Sequence, residues 1–160
     1  MAQDKTIAKV LRKLEYGVYV VTMGKGQEGN AFTASWLTQV SSEPPMLAMA
    51  IHNKHQSARL LNEQDGFVVH LIPAGSEGFA RNFYGPAERG YAKLQATPVS
   101  DAPGTGSPLL EGVSGWIDCR IVNRVPTGNH TVFIGEVVAG ELKQDTQILT
   151  TSNSKLHYTG

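Results

Sequence analysis

At 160 residues the chain is sized for one domain, and a hydrophobic content of 41% is enough to build a core. Fourteen Lys and Arg balance fourteen Asp and Glu with no basic block, which argues against nucleic acid or an anionic membrane surface as the main partner. The single cysteine, Cys119, excludes an internal disulfide and suits a reducing compartment. With no apolar leader and no run of membrane-span length, the sequence reads as one soluble, cytoplasmic domain over residues 1–160. Zero net charge lowers solubility, and self-association is one way to relieve that.

The first element is a helix: Ile7, Val10, Leu11 and Leu14 recur at helical spacing, and Asp4 is placed to cap it. "YGVYVVT" continues into Met23 as a β-branched and aromatic strand, and "GKGQEGN" (24–30) is a turn. The stretch from Asn30 to Ile51 reads as one or two strands, then Pro44 and Pro45, then the buried strand "MLAMAI". A short helix through Ala58, Leu60 and Leu61 follows, with Gly66 as its stop. "FVVHLI" (67–72) is a further strand and "SEGFARNFYG" (76–85) a further short helix. Residues 86–112, rich in Gly, Pro, Ala and Ser, read as a long irregular connection. Two long strands, 115–125 and 130–142, flank the hairpin turn "PTGN", and the C-terminal stretch offers one or two more. About seven strands with three short helices, joined mostly by turns, imply a mainly β (α+β) chain. The architecture expected is an antiparallel, Greek-key-like barrel with helical side pieces.

The stretch 30–42 is unusual for a barrel, because Thr33, Ser35, Thr38, Gln39, Ser41 and Ser42 sit in an otherwise apolar, β-like segment. Each buried hydroxyl costs roughly 1–3 kcal/mol unless it finds a partner. Two readings stand open here: a half-exposed edge strand, or a binding wall. In the second, small side chains let backbone groups approach a flat ligand while Trp36 covers apolar surface. A flavin ring presents that mixture of a polar edge and an apolar edge, and its phosphate tail needs positive charge or hydroxyls. Asn53, Lys54, His55, Gln56 and Ser57 supply both at a helix start immediately after "MLAMAI".

At these residues the chain resembles the flavin reductase-like FMN-binding split-barrel family. The resemblance rests on "TASWLTQVSSEPPMLAMAI", supported in order by "YGVYVVT", "GSPLLEGVSGWIDCRIV", "GNHTVFIGEV" and "LHYTG". It implies a split β-barrel homodimer that binds FMN near the subunit boundary. Thr33, Ala34, Ser35 and Trp36 would line the ring, and Gln39, Val40 and Ser41 would lie near the ring or ribityl chain. Lys54 to Ser57 would hold the phosphate, with Arg81 as a second phosphate partner. His70 stands where such relatives carry an asparagine; it would face the flavin or be a core histidine satisfied by backbone groups. His130, in "GNHTVF", would lie beside the flavin as the catalytic histidine.

The implied activity is that of an FMN-dependent NAD(P)H:flavin oxidoreductase, with a hydride passing from the nicotinamide donor to the flavin. Electrons would then leave to a second flavin, a partner oxygenase or another acceptor. The alternative on the same fold is an FMN-binding electron-transfer protein without an efficient NAD(P)H site. A split barrel for haem or pyridoxal phosphate has no ligand or lysine setting to support it. No metal spacing is present despite His52, His55 and His157. "GKGQEG" lacks the ending and context of a phosphate loop. Cys119 shares a strand face with Ile117 and Ile121 and reads as buried and inert, whereas Asp118 and Arg120 read as solvated or interface charges.

Overall fold

The computed structural model describes residues 4–25 and 29–157. Helix α1 (Lys5–Leu11) starts where Asp4 accepts a hydrogen bond from the Thr6 N–H at 2.6 Å, and none of its residues is buried. Strands β1 (Tyr19–Met23), β2 (Asn30–Ala34), β3 (Leu37–Ser42) and β4 (Pro45–His52) follow. The turn between β1 and β2 lies partly outside the described residues. Helix α2 (Gln56–Asn62), strand β5 (Gly66–Leu71) and helix α3 (Glu77–Arg81) come next. Helix α4 (Ala87–Gln95) and the short strands β6 (Val99–Asp101) and β7 (Pro108–Leu110) precede the long hairpin of β8 (Gly115–Pro126) and β9 (His130–Leu142).

Seven strands form one sheet in the order β2-β1-β5-β8-β9-β4-β3, with every adjacent pair antiparallel. Its two edge strands, β2 and β3, are consecutive in the chain, and only Ser35 and Trp36 separate them. Laid flat, seven strands would hold those edges about 29 Å apart at the usual strand spacing. The connection spans about 10 Å at most. The sheet therefore has to curl until its edges nearly meet. No ladder joins β2 to β3, so the barrel stays open along that seam.

The inner face of the curled sheet holds one core. Val21, Phe32, Met49, Phe67, Cys119 and Phe133 each come from a different strand, and Ala58 and Leu61 of α2 close one end. The outer face of β1 and β5 is covered by a second apolar layer in which Val18, Val20 and Ile72 meet Phe83, Leu94 and Leu110. Helix α4 lies directly on β2. A Cβ at Gly90 would collide with the Ala31 carbonyl oxygen, and Asn30 Nδ2 donates to the Ala87 carbonyl at 3.1 Å.

Four expectations change. Residues 86–112 are not an irregular connection: they hold α4, β6 and β7, packed on the sheet. Gly66 is not the stop of α2, which ends at Asn62; it opens β5, where a Cβ would strike Thr105 and the Cys119 carbonyl. Among the described residues the C-terminal stretch forms only isolated bridges, Thr150 to Gly17 and Ile148 to Pro73. Asp118 is not a solvated charge. It is fully buried, and its carboxylate accepts from Gly104 N (2.7 Å), Thr105 N (3.1 Å) and Thr105 Oγ1 (2.6 Å), pinning the 103–107 turn.

Candidate functional site

A cleft of about 540 Å3 opens beside the seam. One wall is the end of β2 with the start of the crossing, Phe32 to Ser35, backed by Ala50 and Ile51 of β4. The opposite wall is the link between α3 and α4, Phe83 to Ala87. The polar end is Lys54, His55, Gln56 and Ser57, where β4 turns into α2, and His157 completes the rim. Small residues, Ala34, Ser35, Ala50 and Gly85, leave backbone accessible between the larger apolar rings of Phe32 and Phe83.

Local chemistry shapes the polar end. The Lys54 N–H donates to His52 Nδ1 at 3.1 Å, which folds the chain tightly into the helix. His55 occupies the N-cap of α2 without a side-chain cap bond. Gln56 Nε2 donates to Glu88 Oε1 at 3.2 Å, tying the start of α2 to the first turn of α4. Glu88 is held below the usual carboxylate range by its own backbone N–H first and the Gln56 amide second. Thr33 Oγ1 donates to the Ala80 carbonyl at 2.6 Å, so towards the cleft that hydroxyl can only accept.

Beside the seam lies a row of rings. Trp36 stacks on His130 with centroids 4.8 Å apart, and His130 meets His52 edge-on at 5.0 Å. His52 in turn lies 5.4 Å from His55, and Tyr16 lies 6.1 Å from Trp36 on the other side. Burial pushes the His55 and His130 imidazoles below the ordinary histidine range, and the neighbouring histidines push the same way. Among the described residues no group of three His, Cys, Asp or Glu is arranged to hold a metal ion.

The sequence-based site residues divide into two sets. Thr33, Ala34, Ser35, Lys54, His55, Gln56 and Ser57 all line the cleft. Gln39, Val40 and Ser41 do not. They lie along the edge strand β3, Gln39 and Val40 exposed and Ser41 half-buried, because the alternation after the crossing turns that strand to solvent. Trp36 faces a neighbouring hollow. Asn53 turns to the β8–β9 hairpin, taking a bond from Thr131 Oγ1 at 2.7 Å. Arg81 sits exposed at the end of α3 and lines no part of the cleft.

His130 is 4% exposed and lines neither hollow; register with His52 sets it behind the indole. His70 is the core histidine, not a flavin-facing one. Its Nδ1–H donates to the Val20 carbonyl (2.9 Å), and its Nε2 accepts from the Leu110 N–H (3.1 Å). Burial pushes His70 down to about 4, and Cys119, also buried, is pushed up to about 12.

The wall from Phe83 to Ala87 escaped the sequence reading. Its signal was the Gly85–Pro86 step, which ends one helix and opens the next and which the sequence reading placed between a helix and an irregular connection.

Comparison with known proteins gives the family and the fold. The model of the flavin reductase like domain matches residues 11–160. An NADH:FMN oxidoreductase from Rhodococcus qingshengii is 31% identical over 135 residues, spanning 84% of this chain and 69% of the relative. A solved structure, the NADH:FAD oxidoreductase SgcE6 from Streptomyces globisporus C-1027, superposes with a TM-score of 0.81 at 26% identity, covering 94% of this chain and 91% of that one. A diflavin flavoprotein from Synechocystis sp. PCC 6803 is 25% identical over 87% of this chain, which corresponds to 24% of that longer protein.

Proposed function

The chain belongs to the flavin reductase-like domain family, and from that membership we propose that it is an FMN-dependent NAD(P)H:flavin oxidoreductase. The observation that carries the proposal is the cleft itself, which joins an apolar, small-residue wall at Phe32–Ser35 to a cation and a hydroxyl at Lys54 and Ser57.

The residues present fit FMN. A tricyclic ring with one apolar and one polar edge matches Phe32, Ile51 and Phe83 facing Ser35 and the open backbone of 33–35. A dianionic tail matches the Lys54 ammonium, the Ser57 hydroxyl and the Gln56 amide at the far end. The chemistry a bound flavin would supply is acceptance of two electrons from a dihydronicotinamide and their release to an acceptor. The protein's share is binding, orientation and exclusion of water. Lys54 and Ser57 anchor the tail, and Ala34 and Ser35 keep the wall thin enough for backbone contact. The α3–α4 link shields the ring. His130 braces Trp36 at the seam and acts as a positioning residue there.

The same reading extends to the assembly and setting. Val40, Val122, Val125 and Leu142 leave apolar surface exposed on β3, β8 and β9, which supports a homodimer. The acceptor is a free flavin, an oxygenase partner or another electron acceptor. No helix among the described residues is long and apolar enough to cross a membrane. The lone cysteine supports a reducing, cytoplasmic setting.

Likeness to one quarter of a diflavin flavoprotein favours a second reading, that of an FMN-binding electron carrier. Anaerobic stopped-flow mixing of the FMN-loaded protein with NADH and with NADPH separates the two. Prompt bleaching of the bound flavin by either donor is the expected result. No bleaching with either, together with reduction by a protein partner, would replace the enzyme with the carrier.

A further inference from the structure

One side chain that does not itself line the cleft links its polar end to the seam. His52 closes β4, paired in register with His130 of β9, and stands two residues before Lys54. Resting on the flavin reading above, we propose that His52 is a positioning residue for the flavin's phosphate tail. Its unprotonated Nδ1 fixes the turn that presents Lys54, His55, Gln56 and Ser57 to the cleft, and its ring braces that turn against His130.

Three observations support it. The first is the turn. Between the end of β4 and the start of α2 the chain has only residues 53–55 in which to leave the sheet. Backbone bonds fix part of that path: the Asn53 N–H donates to the Asn129 carbonyl at 2.9 Å, and the His55 N–H to the His52 carbonyl at 3.0 Å. The Lys54 N–H, between them, points back to His52 Nδ1 at 3.1 Å. An Asn or Asp side chain commonly makes this bond to the amide two residues on; here an imidazole makes it. Without an acceptor at that place the amide would turn to water, and the stretch lining the polar end would lose its fixed direction.

The second is the protonation state that this bond requires. A ring nitrogen that accepts from an N–H carries no proton, so His52 is the neutral imidazole with its hydrogen on Nε2. A proton on Nδ1 would set two N–H groups against each other. The third is the setting of the ring. His52 meets His130 edge-on at 5.0 Å and lies tilted against His55 at 5.4 Å. His130 stacks in turn on Trp36, which directly follows Ser35 of the cleft wall. Packing from both sides aims Nδ1 at the Lys54 amide, and the same row ties the tail corner to the seam where the ring wall ends.

The test is FMN titration of the FMN-free protein, followed by flavin fluorescence, in the wild type, His52→Ala and His52→Asn. The Asn Oδ1 can accept from the same amide, whereas Ala has nothing to offer it. His52→Ala should weaken FMN by roughly threefold to tenfold, the loss expected for one hydrogen bond, and His52→Asn should restore most of it. In the background Lys54→Ala/Ser57→Ala, the further change His52→Ala should weaken FMN by less than about twofold, because the groups it positions are gone. Nitrogen NMR shifts of the FMN-free wild type read the tautomer whether or not the Ala variant folds: His52 should carry its proton on Nε2. The proposal is overturned if His52→Ala binds FMN as the wild type does, if Asn restores nothing, if the effect is undiminished in the double-variant background, or if the proton sits on Nδ1. Failure of the flavin reading shows separately, as a wild type that does not bind FMN while the His52 tautomer is as expected.

Discussion

His70 illustrates how one side chain can be misread from its type alone. A histidine on a strand near a ligand wall invites a functional role, yet both its nitrogens are occupied by backbone groups of β1 and β7. The ring must be neutral, since a proton on Nε2 would face the Leu110 N–H. With its folded value near 4 and an ordinary value of 6.5, stability is full above 6.5 and is lost as pH falls from there through 4. The shift corresponds to about 3 kcal/mol at most. In urea titrations from pH 7 to 4, the wild type should lose more stability than His70→Asn. Parallel pH curves would remove this role. At the cleft, Lys54→Ala with Ser57→Ala should weaken FMN by about tenfold to a hundredfold, since charge-assisted contacts to a phosphate are lost, while the melting temperature holds. A titration of FMN-free protein measures this, and unchanged affinity would remove the anchor.

At the scale of elements, the hydroxyl-rich segment resolves into two jobs. Up to Ser35 its polar groups face the cleft; from Thr38 to Ser42 they lie along an edge strand, exposed except for half-buried Ser41. The edge-strand reading holds from Thr38 onward, the earlier part lines the cleft, and the boundary is the crossing at Ser35–Trp36. Helix α4 shows what a loop-like composition can hide. Its Gly90 allows contact with β2, and Asn30 grips its first turn. Gly90→Ala should cost about 1–3 kcal/mol, because a backbone carbonyl cannot swing away as a side-chain tip can. The shift should also displace the Pro86–Ala87 wall and weaken FMN retention. Gly78→Ala in α3, with nothing within 4 Å of the added carbon, is the control and should not destabilise. Thermal melts and FMN titrations of the pair check both statements.

For the whole molecule, the governing fact is that β2 and β3 are neighbours in sequence and opposite edges in the sheet. That forces closure, and closure brings the end of β2 within one cleft of the turn into α2, although about twenty residues of chain intervene. The outer surface is unfinished by comparison, with Val122 and Val125 48% and 40% exposed on β8. Sedimentation equilibrium should report a two-chain species, and Val122→Lys with Val125→Lys should shift it towards one chain. A wild type that sediments as one chain would remove the dimer.

Much was legible in the residues. The cap at Asp4, the β-branched runs, the hairpin at "PTGN" and the burial of Cys119 each depend on neighbours a few positions away, and short-range rules reach that far. That Lys54–Ser57 form one polar corner was legible for the same reason: the four residues are contiguous, and all of them line the cleft. What only the tertiary structure decided involves groups far apart in sequence. The burial of Asp118 under a turn 13–14 residues away, the packing of α4, and the withdrawal of Gln39 and Arg81 from the cleft are of this kind. In each case the local pattern permitted both outcomes, and the choice fell to which distant backbone groups and faces the curled sheet brought within contact.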